Sequence, residues 1–373
     1  MIAAYLDDLE RRIDPEIEEA LWVAWTDFVD GETTDEIFSP RRVRPVPPGL
    51  DWPHVTVNEA LDSYEMMALQ QLGACSQALA EGTGAVMAVR CNYGTGILPT
   101  LFGAELFVMD PELDTLPTTV PLGGLASTNL AASLAPADTT QAAEAVKALL
   151  DRGLPDLRRG LGRRVFEMAD AYAELFAPYP KIRRYVHLYH PDLQGPMDVA
   201  ELLWGSSLFV ALVEAPDLVT EFLELITETY IAFIRAWWDA LPTDGAQALT
   251  RDGTYAVHWS MVHRGRIMLR DDSAMNLSPR MFARFIAPYD GRLLAELGGG
   301  ALHFCGRGDH YIRLAAELPG LTAINLSQPE YNRMDEIFDH TVDQGLNIVG
   351  LPREAADAAL ARGRSLRGRV HCW

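Results

Sequence analysis

Apolar positions near the start of the chain recur at helical spacing. Leu6, Leu9, Ile13, Ile17, Leu21 and Trp25 predict one helix over residues 1–30. The next stretch, 31–56, contains SPRRVRPVPPGLDWP, whose prolines forbid regular structure, so it is expected to wrap the surface. From residue 57 short apolar runs alternate with helical ones. Strands are predicted at 86–90, 105–108, 184–189, 254–259, 267–270, 301–304, 321–325 and 346–351. The clearest helices are 57–80, 198–213, 216–240, 278–298, 309–318 and 333–344. Such alternation implies a parallel sheet, and about eight units suggest a closed (β/α)8 TIM barrel. The domain reading is therefore an N-terminal helix and wrapping segment, 1–56, and a barrel, 57–373. An open, doubly wound sheet is the alternative. It loses ground because the Gly-x-Gly runs at 82–84 and 94–96 do not form a strand-to-helix dinucleotide turn.

Charge narrows the function. Lys+Arg total 31 against 52 Asp+Glu, a formal net charge of −21, which argues against nucleic-acid and membrane-surface binding. An anionic small substrate would need a local basic pocket. The acidic amphipathic N-terminus does not read as a secretory signal. No run reaches the roughly 18 uncharged apolar residues of a membrane span; the longest candidate, 202–213, reads as a buried helix. Cys75, Cys91, Cys305 and Cys372 are too few for a disulfide framework and are expected to be thiols in a reducing cytoplasm.

Barrel enzymes carry their chemistry at the carboxyl ends of strands. Here the predicted strands are followed by Arg90, Asn92 and Tyr93; by Tyr189, His190, Asp192 and Gln194; by Arg270, Asp271 and Asp272; by His303, Cys305, Arg307, Asp309 and His310; and by Asn325, Ser327 and Gln328. His303 and Cys305 are two apart, so on a strand they share one face. An imidazole and a thiolate facing one interior suit Zn²⁺. Gly306 and Gly308 could turn the backbone and offer N–H groups to an anion. A third ligand must come from elsewhere, and Cys372 and His371 are candidates. Tyr189, His190 and Asp192 could carry acid–base work or bind substrate, unless they form a satisfied core histidine and a turn. Asp271 and Asp272 could share a proton, hold a metal water or steady a cation, and as neighbours only one is expected to face the pocket. Asp309 could instead cap a helix near His310. Trp204, Trp237, Trp238 and Trp259 read as core, while Arg41, Arg42 and Arg44 could cover the mouth.

The stretch Leu277-Ser278-Pro279-Arg280-Met281-Phe282 to Pro288-Tyr289, then His303-Phe304-Cys305-Gly306, resembles the uroporphyrinogen decarboxylase superfamily. So does Gln194-Gly195-Pro196 with the helix after it and the run Asp217-Leu218-Val219. The resemblance covers roughly residues 60–350 and implies a distorted (β/α)8 barrel, with a homodimer as the expected assembly. One branch of that superfamily is a cofactor-free decarboxylase of porphyrinogen acetate arms; its Arg-rich N-terminal motif is absent here. The other comprises zinc-dependent methylcobamide:thiol methyltransferases, whose His-x-Cys…Cys pattern would fall on His303, Cys305 and Cys372. That branch implies a zinc-activated thiol and a methyl group from a corrinoid. The chain lacks an Asp-x-His-x-x-Gly corrinoid signature, so the corrinoid would arrive on a partner protein. The site expected is therefore His303, Cys305 and Cys372 as metal ligands; Tyr189, His190, Asp192, Asp271, Asp272 and His310 as catalytic groups; and Arg90, Asn92, Tyr93, Gln194, Arg270, Arg307, Asn325 and Gln328 as substrate contacts. A carboxy-lyase acting on a carboxylated ring is the alternative activity.

Overall fold

A computed structural model describes residues 2–124, 130–133 and 139–373. Its strands are β1 (Ile37–Phe38), β2 (Ala88–Val89), β3 (Glu105–Phe107), β4 (Thr118–Val120), β5 (His187–Leu188), β6 (Tyr255–His258), β7 (Met261–Arg264), β8 (Ile267–Arg270), β9 (Gly300–Phe304), β10 (Leu321–Leu326), β11 (Asn347–Leu351) and β12 (Val370–Cys372). Six of them form one parallel sheet in the order β1-β12-β11-β10-β9-β8, and β2 pairs with β5, also in parallel. Between β8 and β12 a helix follows each strand, as parallel crossovers require. The fold is thus mixed α/β, built on a six-stranded parallel sheet.

Four predicted strands lie outside that sheet: those at 86–90 and 184–189 pair with each other as β2 and β5, and the other two form hairpins. Glu105–Phe107 forms an antiparallel hairpin with β4, and Tyr255–His258 one with β7. The parallel sheet instead includes β1, from a segment expected to lack regular structure, and β12, at the chain's end. Strands of two and three residues are too short for periodicity to reveal. The expected first helix is also two, Ala3–Arg12 and Pro15–Asp30. Pro15 has no N–H to continue a helix and forces Asp14 into an extended conformation, where its carboxylate caps the second helix.

Side chains alternate between two apolar clusters along most of each strand, broken where register shifts at Leu321/Ala323 and Ile348/Leu351 leave Leu321 and Leu351 in the outer cluster. Val86, Ala88, Tyr189, Met268, Ala301, Ala323 and Val349 form an inner cluster, while Met87, Val89, Leu188, Ile267, Leu269, Leu302, Phe304, Ile324 and Ile348 face the surrounding helices. Helix Pro15–Asp30 adds Leu21, Trp25, Phe28 and Val29 to the inner cluster, and hairpin β6–β7 adds Val257, Met261 and Val262. Trp25 donates its indole N–H to the Gly84 carbonyl, and Asn347, at the amino end of β11, donates to Val29. The N-terminal helix therefore closes the amino ends of the strands and leaves the carboxyl ends open.

The three arginines of the wrapping segment do not cover that open end. Arg42 is buried in a two-bond pair with Glu18 (2.7 Å each), Arg44 pairs with Asp14, and Arg41 donates to the Glu81 carbonyl. Among the described residues no single helix is long and apolar enough to cross a membrane. Pro196–Trp204 and Leu208–Glu214 reach that length only together, and they meet at 106°.

Candidate metal centre

Inner parity carries chemistry at the carboxyl ends of β8, β9 and β10. Arg270 continues the Met268 row, His303 and Cys305 the Ala301 row, and Asn325 the Ala323 row. His303 Nε2 lies 3.4 Å from Cys305 Sγ and 3.7 Å from Asp272 Oδ1. Among the described residues this trio is the group whose His, Cys and carboxylate atoms all lie within 4.8 Å of one another. Zn–S and Zn–N bonds at a tetrahedral angle put nitrogen and sulfur about 3.5 Å apart. The group could therefore bind a metal ion, and its spacing and donor set are compatible with zinc.

The imidazole is held for that use. Asn325 donates its amide to the Val349 carbonyl (2.6 Å), which turns Oδ1 toward His303 Nδ1, also at 2.6 Å. Nδ1 then carries the proton and the Nε2 lone pair faces Cys305. Burial lowers the His303 pKa against the opposing pull of Asp272, which keeps the ring neutral. Burial also pushes the Cys305 thiol up to about 11, so the thiol ionises only if a cation joins it. Gly350 makes room for the asparagine: its φ is +74°, and a Cβ there would stand 2.9 Å from Asn325 Nδ2. Replacing Asn325 with alanine is expected to weaken zinc binding about 10- to 100-fold, read by competition with a chelator.

Asp272, alone of the trio, lines a cleft of about 480 Å³ together with Gln194, Asp198, Glu201, Ser273 and neighbouring threonines. Gln194 is buried with its Oε1 unpartnered. On the inner side, the Asp192 carboxylate meets Arg90, Arg270 Nη1 (3.4 Å), His258 Nε2 (3.1 Å) and the Trp259 indole N–H (3.2 Å). Burial holds His258 well below its ordinary pKa and therefore neutral, so two guanidiniums against one carboxylate leave this wall with one net positive charge. Arg270 also stacks on Trp259, whose ring edge meets His303.

Other expected site residues have different work. Cys372 is not brought to the trio. His371 takes the inner position on β12 beside Trp25 and Phe38, which turns Cys372 outward toward helix Arg353–Ala361. His190 is no acid or base here: Nδ1 bonds the Pro191 carbonyl, Nε2 accepts the Met268 N–H (3.0 Å), and burial keeps the ring neutral. It replaces a backbone ladder bond between the chain after β5 and β8. Asp192 likewise anchors two arginines, and Tyr189 is buried in the inner cluster against His258.

Asp271 follows outer parity and sits fully buried with Asp290, so of the two neighbours only Asp272 reaches the cleft. Tyr93 is buried among the outer helices under Arg164, and Asn92 is buried just after β2. His310 bonds the Leu277 carbonyl, and Arg307 pairs with Asp309 at the surface. Asp309 also binds Arg333, and it precedes the next helix, Ile312–Ala316, by three residues, so it caps nothing. Gln328 and Asn332 accept the Gly306 and Gly308 N–H groups, so this loop offers no anion nest.

Trp259, expected in the core, was missed as a site residue. It stands at the β6–β7 turn with Ser260, both at positive φ (46° and 62°). Asn or Gly is the usual signal of that turn, and neither is present.

Burial raises Asp290 to about 7 and Asp271 well above the carboxylate range, so the two share protons that the unfolded chain releases near pH 4. That stability is full below about pH 4 and is lost as pH rises through about 7. Asp290→Asn is expected to remove roughly 2–3 kcal/mol of the fall in stability between pH 5 and 8, at about 1.4 kcal/mol per pKa unit. Urea unfolding at both pH values checks this; equal slopes in the two proteins would contradict it.

No family model matches the chain, and no curated protein does. Among solved structures, the chain is similar to a methyltransferase from Methanosarcina mazei at 17% identity, over 94% of this chain and 92% of that one, with a TM-score of 0.60. At that identity the likeness concerns the fold.

Proposed function

We propose that this chain is a methyltransferase that delivers a methyl group to a thiol, with zinc held by His303, Cys305 and Asp272. The eight strands β1, β2, β5 and β8–β12 then form a distorted (β/α)8 barrel of the uroporphyrinogen decarboxylase superfamily. The observation that carries the reading is the 3.4 Å approach of His303 Nε2 to Cys305 Sγ at the open end of the sheet, with Asp272 beside both. The methyltransferase likeness of the whole fold supports the choice of reaction. Asp272 takes the ligand position that the sequence offered to Cys372.

Zinc bound there supplies Lewis acidity that brings a thiol's pKa toward neutrality. The chain's own residues do the rest. Asn325 fixes the imidazole, and Asp192 holds Arg90 and Arg270 against the inner wall, where their positive charge favours a thiolate over a thiol. Gln194 offers a buried amide to a substrate in the cleft. The substrate thiol gives up its proton to solvent in the open cleft, its sulfur forms the new bond to the methyl carbon, and the bond from that carbon to the donor breaks with its electron pair staying on the donor. The sequence has no corrinoid motif, so the proposal places a corrinoid donor on a partner protein. A homodimer in the cytoplasm belongs to the same proposal.

The test is methylcobalamin with a panel of small thiols and zinc-loaded protein. Loss of the methyl–cobalt absorbance with matching thioether is the expected result. Fully loaded protein inert toward every thiol, with or without a corrinoid protein, would contradict it.

A further inference from the structure

The weak link in the strand array is the seam between β5 and β8. There a side chain, His190, accepts the Met268 N–H where a backbone carbonyl would otherwise do so. A cavity of about 320 Å³ opens along this seam, toward the amino ends of the strands and behind the metal centre. It lies at the lower end of the range for small-molecule sites.

Its lining is unusual for so acidic a protein. Arg266, Arg251 and Arg235 face it with Asp239, and His187 and His190 in its wall are neutral because burial lowers both. Arg235 is paired with Glu296. Neither Arg251 nor Arg266 has an ion-pair partner among the described residues. Arg266 stands over the Trp238 ring, its guanidinium carbon 3.6 Å from the centroid. Two further polar atoms lie enclosed behind the wall. Trp237 Nε1 and His187 Nδ1 are buried without a partner, on side chains that are 0% and 3% exposed. A buried indole N–H without an acceptor costs about as much as a lost hydrogen bond. Leu188, Leu241, Pro242 and Val257 complete an apolar slot.

We propose that this seam cavity is a second ligand site, separate from the metal centre, for a planar aromatic carboxylate. The carboxylate meets Arg266 and Arg251, and the ring lies in the apolar slot. A purely apolar ligand would leave the guanidiniums unanswered. A simple inorganic anion would leave the slot unfilled.

The probe is 2-naphthoate, titrated into the full chain by calorimetry and by quenching of tryptophan fluorescence, with 2-naphthamide as the neutral match. One saturable site is expected, with the amide at least about tenfold weaker, the difference a charge-assisted pair makes. Arg266→Gln and Arg251→Gln are each expected to weaken 2-naphthoate about tenfold. Arg251 sits on an exposed loop, so its variant folds even if the Arg266 variant does not. Arg270→Gln, at the metal centre, is expected to leave binding unchanged. Three results overturn the proposal: no saturable binding below millimolar probe, amide binding as tight as acid binding, or weakening by Arg270→Gln in place of Arg251→Gln. None of these bears on methyl transfer, so the two readings stand or fall separately.

Discussion

Cys305→Ser and His303→Ala are each expected to reduce bound zinc from near one ion per chain to below about a tenth, whereas Cys372→Ser is expected to retain it. The expectation follows from ligand count. A site with one sulfur, one nitrogen and one carboxylate oxygen loses its strongest donor when the thiolate goes, and two protein ligands do not hold zinc against buffer. The Cys372 arm separates this account from the sequence reading, because on β12 that thiol faces the helix Arg353–Ala361 and not the interior. Elemental analysis of purified protein, with circular dichroism to show that each variant is folded, reads the result. Under the proposed function, methyl transfer is expected to fall with the metal by about 10³-fold or more. Zinc retained by both His303→Ala and Cys305→Ser, or lost with Cys372→Ser, would refute the assignment.

The second large effect is on stability and lies at the opposite end of the molecule. Arg42→Ala is expected to cost roughly 3–5 kcal/mol, because it strips a buried carboxylate of its only ion-pair partner found among the described residues. Arg42 and Glu18 side chains are 1% and 5% exposed, and Arg42 also donates to the Thr83 carbonyl. Together these bonds tie the wrapping segment and helix Pro15–Asp30 to the start of β2. The double change Glu18→Leu, Arg42→Met restores most of the loss, since it removes both charges at once. Urea midpoints of the three proteins measure this. A single variant within about 0.5 kcal/mol of the parent, the range of an ordinary surface change, would show that the pair carries no stability.

Much of the centre was legible because strand parity is simple. His303 and Cys305 two residues apart, after a strand with alanine on the inner face, had to project together, and Arg270 and Asn325 follow the same rule on β8 and β10. The rule also predicts that one of Asp271 and Asp272 turns away, as Asp271 does toward Asp290. Parity would have warned against Cys372 too, had β12 been visible; a three-residue strand leaves no period to read. Other roles belong to geometry alone. Nothing in the sequence says that His190 closes a strand seam with its ring, that Asn325 orients His303, or that Trp259 adopts a left-handed turn over Arg270. The parallel sheet was similarly legible in its long strands and not in β1, whose two residues sit inside a proline-rich stretch.

X-ray absorption at the zinc edge of purified, loaded protein addresses the centre directly. The account predicts one sulfur neighbour at about 2.3 Å and nitrogen or oxygen neighbours at about 2.0–2.2 Å, with the sulfur shell missing in Cys305→Ser. A shell of two sulfurs, or none in the parent protein, would contradict a site made by His303, Cys305 and Asp272.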